Sequence, residues 1–452
     1  MSELLTVPST AISGNPVLEA SPNPAFVDEE VRIRLRGLAP GGRVLIAAET
    51  KDDEGRRWTS SAEFAADTDG TVAVAEQAAL RGSYSGVLAM GLFWSMTLAQ
   101  SERGANSTFT KTDAEPNKVR ISATVDGRVV ASTLLERRFV EQGTSTRDLR
   151  IGGGPGESGD VTVGRLFIPD APGPHPVVMV LSGSGGGFDI DKAAVLSRHG
   201  FATFALAYFG IEPLPSWLNR VPLEYFQGAL DWLGSQSEVD AERIGVLGIS
   251  RGAELALLLG SRFARIRAVV AYAPSSVAWA ASGRDKATGE IIPCWTYHGE
   301  PVPFAPLPLR GFMARSAFPV AALKRPVMFR NLFRAGLRNR SAVKRGAIPI
   351  EETRGPILLI SGGNDHLWPA NEMSEAIVAR LKQKGFSYAV EHRNYPDAGH
   401  MLRYPFLPTT SRVSSNKHLR GAKFSFGGNA AADAEAQAHA WRRAVGFLQK
   451  HL

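Results

Sequence analysis

One short stretch, residues 243–254, constrains the fold and the chemistry of this chain more than any other. It begins with an apolar run at 244–247, continues through Gly-Ile-Ser-Arg-Gly at 248–252 and ends in a helix-forming Ala/Glu/Leu sequence. This order predicts a buried strand, a tight turn and a helix. The two glycines leave room for the packed elements beside the turn, so the Ser250 hydroxyl is expected to project from the sheet. We interpret Ser250 as the nucleophile of a strand–turn–helix elbow, with an ordinary turn as the alternative.

The sequence around this stretch alternates between strands and helices. Apolar runs predict buried strands at 177–181, 201–208, 266–272 and 356–360. Helical patterns occur between and after them at 192–199, 222–234, 371–385 and 431–452. This alternation predicts an α/β-hydrolase domain over residues 146–452, with a mostly parallel sheet and helices on both of its faces.

The first 145 residues have a different pattern, that of an all-β domain. Apolar and charged residues alternate strictly at 31–36, as in a strand with one buried face. A second alternating segment, 121–125, runs into Asp126-Gly127, which is a hairpin signal. Short strands between frequent turn signals predict an antiparallel, immunoglobulin-like sandwich over residues 1–145.

Charge and cysteine content exclude some classes of protein. The net charge is +7, but residues 301–350 contain ten Lys or Arg and no Asp or Glu, so 7 − 10 leaves −3 elsewhere. This distribution argues against a nucleic-acid-binding polycation and indicates a basic, cap-like insertion at about 281–350. The single cysteine, Cys294, allows no intrachain disulfide and favours a cytoplasmic location.

Terminal and apolar patterns add to this expectation. The first residues lack a secretory pattern, and the closing Lys-His-Leu is not a peroxisomal address. No apolar run approaches the length of a membrane span. We see no cysteine or histidine cluster for a metal, and the oligomeric state stays open.

A serine nucleophile needs a base and an acid that orients it. In an α/β hydrolase these follow the serine in the chain order acid, then histidine, on loops after later strands. Asp365 follows the strand at 356–360, and His400 lies 35 residues further on in a Gly-containing loop. We predict a triad of Ser250, Asp365 and His400, with Asp397 as the alternative acid and His366 as the competing histidine.

The loop after the strand at 177–181 is rich in glycine and serine. In this fold such a loop supplies one backbone N–H of the oxyanion hole, and the residue after the nucleophile supplies the other. Those N–H groups are expected at Ser184, or Gly183, and at Arg251. A dinucleotide-binding interpretation is disfavoured because Phe188 stands where the fingerprint needs its third glycine.

Several segments together resemble the acyl-CoA thioesterase and bile acid-CoA:amino acid N-acyltransferase family. They are distributed over nearly the whole chain and are found at 31–40, 66–68, 82–86, 90–94, 183–187, 205–208, 247–252, 364–368, 399–400 and 440–441. The resemblance implies a β-sandwich followed by a hydrolase domain, and an acyl-enzyme formed at Ser250 from a CoA thioester. It implies no cofactor beyond that substrate. Serine rather than cysteine at the nucleophile favours hydrolysis.

The basic segment departs from the family pattern in length and charge. We predict that Arg330, Arg334 and Arg338 bind CoA phosphates or another anionic part of the substrate. The alternative is a solvated surface or one that contacts a membrane peripherally. Alternative functions are acyl transfer to an amine or alcohol, a serine esterase or peptidase, and a non-catalytic binding protein on the same scaffold.

Overall fold

The computed structural model of the protein describes residues 11–99, 108–152, 160–317, 319, 324–415 and 423–452. These residues form two compact units. The first ends at Phe139 and also includes Tyr404–Arg412, and the second comprises Val140–Arg403 and Val413–Leu452. The boundary therefore falls at residue 139 rather than 145. The return of 404–412 to the first unit was not anticipated from the sequence, since it depends on long-range hydrogen bonds such as that from the Thr409 N–H to the Trp94 carbonyl (2.9 Å).

The first unit contains two sheets. Its elements are β1 (Ile12–Ser21), β2 (Ala25–Phe26), β3 (Arg32–Leu38), β4 (Arg43–Lys51), β5 (Arg57–Ala65), β6 (Val72–Ala73), β7 (Arg81–Gly82), α1 (Gly91–Trp94), β8 (Thr97–Leu98), β9 (Asn117–Val125) and β10 (Arg128–Arg138). One sheet has the order β1-β3-β6 and the other β2-β10-β9-β4-β5-β7, with β8 also beside β5.

Local sequence explains two features of this unit. In β3 the apolar residues Ile33 and Leu35 are buried while the intervening arginines are exposed, as the alternating pattern predicts. Between β9 and β10, Asp126 and Gly127 have φ values of 49° and 76°. Two consecutive residues with positive φ match the right-handed twist of a hairpin, which is why this turn signal was reliable.

The second unit is built on an eight-stranded sheet. Its strands are β11 (Ser145–Gly152), β12 (Asp160–Ile168), β13 (His175–Leu181), β14 (Ala202–Leu206), β16 (Val239–Ile249), β17 (Ile266–Tyr272), β22 (Ile357–Gly362) and β23 (Val390–Tyr395). Their order is β11-β12-β14-β13-β16-β17-β22-β23, which is the α/β-hydrolase arrangement. The strands from β14 to β23 are parallel, whereas β11 and β12 pair antiparallel at one edge. The predicted fold class is confirmed.

Helices cover this sheet. They are α2 (Ile190–Ser197), α3 (Leu223–Gly234), α4 (Arg251–Arg262), α8 (Ala370–Gln383) and α9 (Ala430–His451). Every residue of β14 and β22 is buried, as expected for strands that are covered on both faces. The carboxyl ends of the parallel strands therefore share one edge, where side chains on the following loops converge.

The basic insertion lies between β17 and β22, which are hydrogen-bonded neighbours in the sheet. Its elements are β18 (Ala280–Arg284), β19 (Ile291–Pro293), β20 (Trp295–Tyr297), β21 (Glu300–Pro301), α5 (Leu309–Phe312), a π-helix (Met313–Ala317), α6 (Arg330–Leu337), α7 (Arg340–Gly346) and a 3₁₀ turn (Ile350–Glu352). Strand β20 pairs with β15 (Val221–Pro222), and a separate hairpin joins β24 (Val413–Ser415) to β25 (Lys423–Ser425). The insertion thus lengthens the chain without separating the two strands.

Candidate active site

Ser250 occupies the turn between β16 and α4. Its φ and ψ are 57° and −119°, a backbone conformation that non-glycine residues seldom adopt outside strained functional turns. A Cβ on Gly248 would lie 2.0 Å from the Gly252 carbonyl oxygen, and one on Gly252 would lie 2.3 Å from the Ser182 carbonyl oxygen. Both positions therefore exclude a side chain. The strand, turn and helix predicted around Ser250 are all present.

His400 and Asp365 form a buried hydrogen-bonded pair. The distance from His400 Nδ1 to Asp365 Oδ2 is 2.6 Å, and the side chains are 3% and 1% exposed. The other carboxylate oxygen, Oδ1, accepts hydrogen bonds from the N–H groups of Leu367 (2.7 Å) and Trp368 (3.2 Å). This geometry fixes the carboxylate against Nδ1 of the imidazole, which leaves Nε2 as the nitrogen available for proton transfer.

The loops that carry this pair are held together by backbone hydrogen bonds. Asn364 N–H donates to the Ala398 carbonyl (3.0 Å), and His400 N–H donates to the Phe426 carbonyl (2.9 Å). Asp365 follows β22 and His400 follows β23, so both lie at the sheet edge where β16 ends in Ser250. The sequence placed all three residues on loops of this edge, and the fold brings those loops to it.

The two alternative residues are engaged elsewhere or exposed. Asp397 is exposed, and the carboxylate that contacts His400 belongs to Asp365. His366 lies 3.0 Å from Ser425 Oγ through Nδ1 and 3.1 Å from Asn364 Oδ1 through Nε2. Both of its ring nitrogen atoms thus have partners in the loop structure, which favours a structural role for His366.

The expected oxyanion loop lies beside Ser250. A Cβ on Gly183 would lie 3.4 Å from the Ser250 Cβ, and the Gly183 carbonyl accepts the N–H of Gly186 at 3.2 Å, which closes a turn. Ser184 lines the same cavity as Ser250 and Arg251. The first backbone bonds of α4 come from Ala253 and Glu254 to the Ser250 carbonyl, so the Arg251 N–H precedes the hydrogen-bonded turn. Such an N–H at a helix N-terminus favours a developing negative charge.

A buried ion pair beneath the cavity was not predicted from the sequence. Arg251 Nη1 donates to Glu254 Oε2 at 2.8 Å, and Arg251 Nη2 donates to the Ala280 carbonyl at 2.9 Å. The other Glu254 oxygen accepts from Trp295 Nε1 (2.9 Å) and from the N–H of Trp279 (3.3 Å). Burial raises the pKa of the Glu254 carboxyl, and the Arg251 charge opposes that change. The available signal was the spacing of Arg and Glu by three residues in an otherwise apolar helix.

Trp368 connects this ion pair to the histidine. The Arg251 guanidinium carbon lies 5.9 Å from the Trp368 ring centroid, and the His400 ring packs edge-on against the same indole at a centroid distance of 6.1 Å. The indole Nε1 donates to the Ala273 carbonyl at 3.1 Å. Because Trp368 N–H also binds Asp365, one residue contacts both members of the buried pair and the residue after the candidate nucleophile.

The cavity that contains Ser250 has a volume of about 590 Å³ and mostly apolar walls. Of the described residues that line it, Arg251 alone is ionised, and its charge is paired with Glu254. Cys294 is also in the wall, where burial raises the pKa of its thiol to about 12. A thiol of this kind is a poor nucleophile near neutral pH. The apolar lining residues are Phe209, Trp217, Leu218, Ala281, Leu307, Leu309, Met313, Phe329, Leu332, Phe333, Leu367, Trp368 and Phe424.

The three arginines predicted to bind substrate have different environments. Arg330 is half-buried and donates to the carbonyls of Asp365 and Gly363, the latter at 3.2 Å. Arg334 pairs with the carboxylate of Glu372, with Nε to Oε1 at 2.8 Å. Arg338, at the end of α6, is exposed. Two of the three guanidinium groups are therefore already engaged within the protein.

Over the described ranges, no group of three or more His, Cys, Asp or Glu residues is placed to hold a metal ion. In the same part of the chain, no helix has the length and apolar character needed to cross a membrane.

Comparison with known families shows which family the chain belongs to. Residues 28–151 match the family model for the acyl-CoA thioester hydrolase/BAAT N-terminal region. Residues 221–452 match the model described as BAAT / acyl-CoA thioester hydrolase C terminal. The chain belongs to this family. The chain is thus a hydrolase-fold enzyme, and the family resemblance of its sequence is confirmed.

The similarity to individual relatives extends over almost the whole length of the chain. Mouse mitochondrial acyl-coenzyme A thioesterase 2 is 31% identical over 439 residues, covering 94% of this chain and 87% of the relative. Mouse peroxisomal succinyl-coenzyme A thioesterase is 30% identical over 431 residues, covering 94% of each chain. Mouse acyl-coenzyme A amino acid N-acyltransferase 1 is 31% identical over 444 residues, covering 96% and 97%. Similarity of this level is shared by hydrolases and a transferase.

Proposed function

We propose that this enzyme hydrolyses acyl-CoA thioesters through an acyl-enzyme at Ser250, with His400 as the base and Asp365 as its orienting acid. The observation that carries the proposal is the strained Ser250 elbow at the same sheet edge as the buried His400–Asp365 pair. Similarity to acyl-CoA thioesterases over 94% of the chain supports the thioester as the substrate.

Acylation begins with attack of Ser250 Oγ on the thioester carbonyl carbon. His400 Nε2 accepts the serine proton, while Asp365 stabilises the imidazolium through Nδ1–H. The carbonyl oxygen becomes an oxyanion, for which the backbone N–H groups of Arg251 and Ser184 are the proposed donors. Collapse of the tetrahedral intermediate breaks the carbon–sulfur bond, and CoA leaves as the thiol with the proton from His400.

Deacylation repeats the same steps with water as the nucleophile. His400 Nε2 takes a proton from water as the water oxygen attacks the acyl ester carbon. The second tetrahedral intermediate collapses, Ser250 regains its proton from His400, and a free carboxylic acid is released. Each step uses only the three side chains and the two backbone donors already named.

The cavity indicates which acyl groups the enzyme accepts. Its walls are aromatic and aliphatic, and Arg251, the one ionised residue among the described residues that line it, is balanced by Glu254. An apolar acyl group gains free energy by leaving water here, whereas a terminal carboxylate would be desolvated without a partner. We therefore propose that apolar acyl-CoAs are preferred over dicarboxylyl-CoAs such as succinyl-CoA.

Acyl transfer is the second candidate function. Its support is the 31% identity to an N-acyltransferase that covers 96% of this chain. In that reaction an amine replaces water as the nucleophile that attacks the acyl-enzyme. An esterase or peptidase activity would use the same triad on an ester or amide. A cytoplasmic location stays part of the proposal, and the relatives include mitochondrial and peroxisomal enzymes.

The test is CoA release from a panel of acyl-CoAs, measured with and without amine acceptors, beside Ser250→Ala. We expect release without an acceptor, with kcat/KM for apolar acyl groups roughly tenfold or more above that for succinyl-CoA because an unpaired buried carboxylate costs at least 1–2 kcal/mol. Ser250→Ala should lower kcat by about three orders of magnitude or more.

Three results would contradict the proposal. Release that depends on an acceptor would favour the transferase. Unchanged turnover in Ser250→Ala would exclude the acyl-enzyme at that residue. Turnover of simple esters or amides, without any CoA release, would favour the esterase or peptidase.

A further inference from the structure

A groove adjoins the cavity that contains Ser250. It has a volume of about 370 Å³ and shares the wall residues Ala281, Leu307 and Leu309 with that cavity. Strand β18 and the start of α5, both in the basic insertion, form its sides. The groove and the proposed acyl site are therefore neighbouring spaces that share these three wall residues.

The groove carries two positive charges that the cavity lacks. Arg284 and Arg310 are exposed and are the ionised residues among the described residues that line it. Arg284 Nη1 donates to the Gly289 carbonyl at 2.7 Å, which uses one of the five N–H donors of a guanidinium. Arg284 is thus held in place by a neutral partner that does not cancel its charge.

The nearest acid along the chain, Asp285, is occupied by other groups. Its carboxylate accepts from Arg220 Nη2 at 2.8 Å and from the N–H groups of Ala287 (2.9 Å) and Thr288 (3.1 Å). These bonds lower the pKa of Asp285, the Thr288 N–H having the largest effect and Arg220 the next. The negative charge of Asp285 is therefore balanced by Arg220 rather than by the arginines of the groove.

We propose that this groove is the subsite for the phosphate groups of the CoA leaving group, an inference that rests on thioester hydrolysis at Ser250. An acyl-CoA has an apolar end and a polyanionic end, and the two adjoining spaces differ in the same way. One guanidinium group can bind two phosphate oxygens at once, and an exposed guanidinium group does so while the phosphates stay hydrated. Arg330 and Arg334 are already bonded to Gly363 and Glu372, and Arg338 lines neither space. Arg284 and Arg310 line the groove itself and supply its charge.

The test compares two substrates that carry the same acyl group, acyl-CoA and acyl-pantetheine, which has no phosphate. The double variant Arg284→Gln/Arg310→Gln should raise KM for acyl-CoA about tenfold, because two charge-assisted contacts are lost, and leave kcat within about twofold. Both constants for acyl-pantetheine should stay unchanged. Added NaCl should raise KM for acyl-CoA in the wild type more than in the double variant.

Arg345→Gln is the matched control, since Arg345 is an exposed arginine of the same insertion that lines neither space. An equal rise in KM for both substrates, or no rise for either, would overturn the subsite. A rise in the double variant's KM for a carboxylate-bearing amine acceptor, without a rise in KM for acyl-CoA, would also overturn the subsite. Ser250→Ala separates the two claims. If Ser250→Ala keeps full turnover, the proposed function fails. If turnover depends on Ser250 but Arg284→Gln/Arg310→Gln leaves KM for acyl-CoA unchanged, only the groove proposal is overturned.

Discussion

At the scale of single residues, the position after Ser250 contributes to the structure through both its backbone and its side chain. The backbone of Arg251 presents an N–H at the start of α4, and its side chain joins Glu254, Ala280 and Trp368 below the cavity. The Glu254 carboxylate has no exposed surface and accepts three hydrogen bonds. A charge in such a position is tolerated only when its partner is present. The pair thereby fixes the residue next to Ser250.

The first prediction concerns Glu254→Gln. The amide oxygen still accepts from Trp295 and Trp279, but the buried Arg251 charge loses its counterion. We expect the free energy of unfolding to fall by about 3–5 kcal/mol, as for other broken buried pairs. Urea unfolding followed by tryptophan fluorescence measures this change, since the Trp295 indole donates directly to Glu254.

Arg251→Met/Glu254→Gln is the matched control because it removes both charges and keeps the acceptor for the two tryptophans. The double variant should regain roughly half of the lost stability, the remainder reflecting the missing donor to Ala280. A single variant within about 1 kcal/mol of the wild type would contradict an ionised pair, given the cost of an unpaired buried charge.

At the scale of elements, the basic insertion supports the loop after β22, which carries Asp365. Helix α6 begins at Arg330, whose side chain donates to the carbonyls of Asp365 and Gly363 and whose N–H donates to the His366 carbonyl at 2.9 Å. Burial lowers the pKa of Arg330, with a further contribution from Arg334. A solvated substrate-binding arginine would not need these bonds, so Arg330 is better explained as an anchor between α6 and the loop after β22.

The second prediction follows from that anchor. Arg330→Met removes the donors to both carbonyls, which should loosen the loop that holds Asp365 against His400. We expect kcat to fall roughly tenfold or more, since small displacements of catalytic groups are costly, while KM for acyl-CoA and for acyl-pantetheine stays within about twofold. Steady-state kinetics with both substrates measures kcat and KM separately and so tests whether only kcat changes.

Arg345→Met is the control, because it removes an exposed charge of the same insertion. A selective rise in KM for acyl-CoA with kcat retained would contradict the anchor. That result would assign Arg330 to the phosphates of the substrate.

Local pattern predicted those parts of the site that local sequence determines. The elbow is specified within 243–254, and the loops of Asp365 and His400 follow apolar strands, so chain order was sufficient to nominate them. The bonds that Trp295 donates to Glu254 and that Arg330 donates to Gly363 join residues 41 and 33 positions apart. Such contacts depend on how the insertion packs against α4 and the loop after β22, and the hydrophobic periodicity of the sequence does not predict that packing. For the same reason the arginines of 301–350 indicated a charged region without showing which were already bonded.

At the scale of the whole molecule, the family match and the sheet order agree on one architecture. A β unit precedes a hydrolase unit, and the two family models cover 28–151 and 221–452. The excess positive charge lies in the insertion of the second unit, where the cavity that contains Ser250 is mostly apolar and the adjoining groove is cationic. This separation of apolar and charged surfaces fits a substrate with the same division.

Active-site labelling tests whether Ser250 is the nucleophile. After reaction with a fluorophosphonate, tryptic cleavage after Arg243 and Arg251 releases the peptide 244–251 with Ser250 as its one hydroxyl-bearing residue. We predict one label per chain on that peptide, loss of CoA-releasing activity in step with labelling, and protection by acyl-CoA. Full turnover without labelling of that peptide, or labelling of Ser250→Ala at the same rate, would contradict the assignment of Ser250 as the nucleophile.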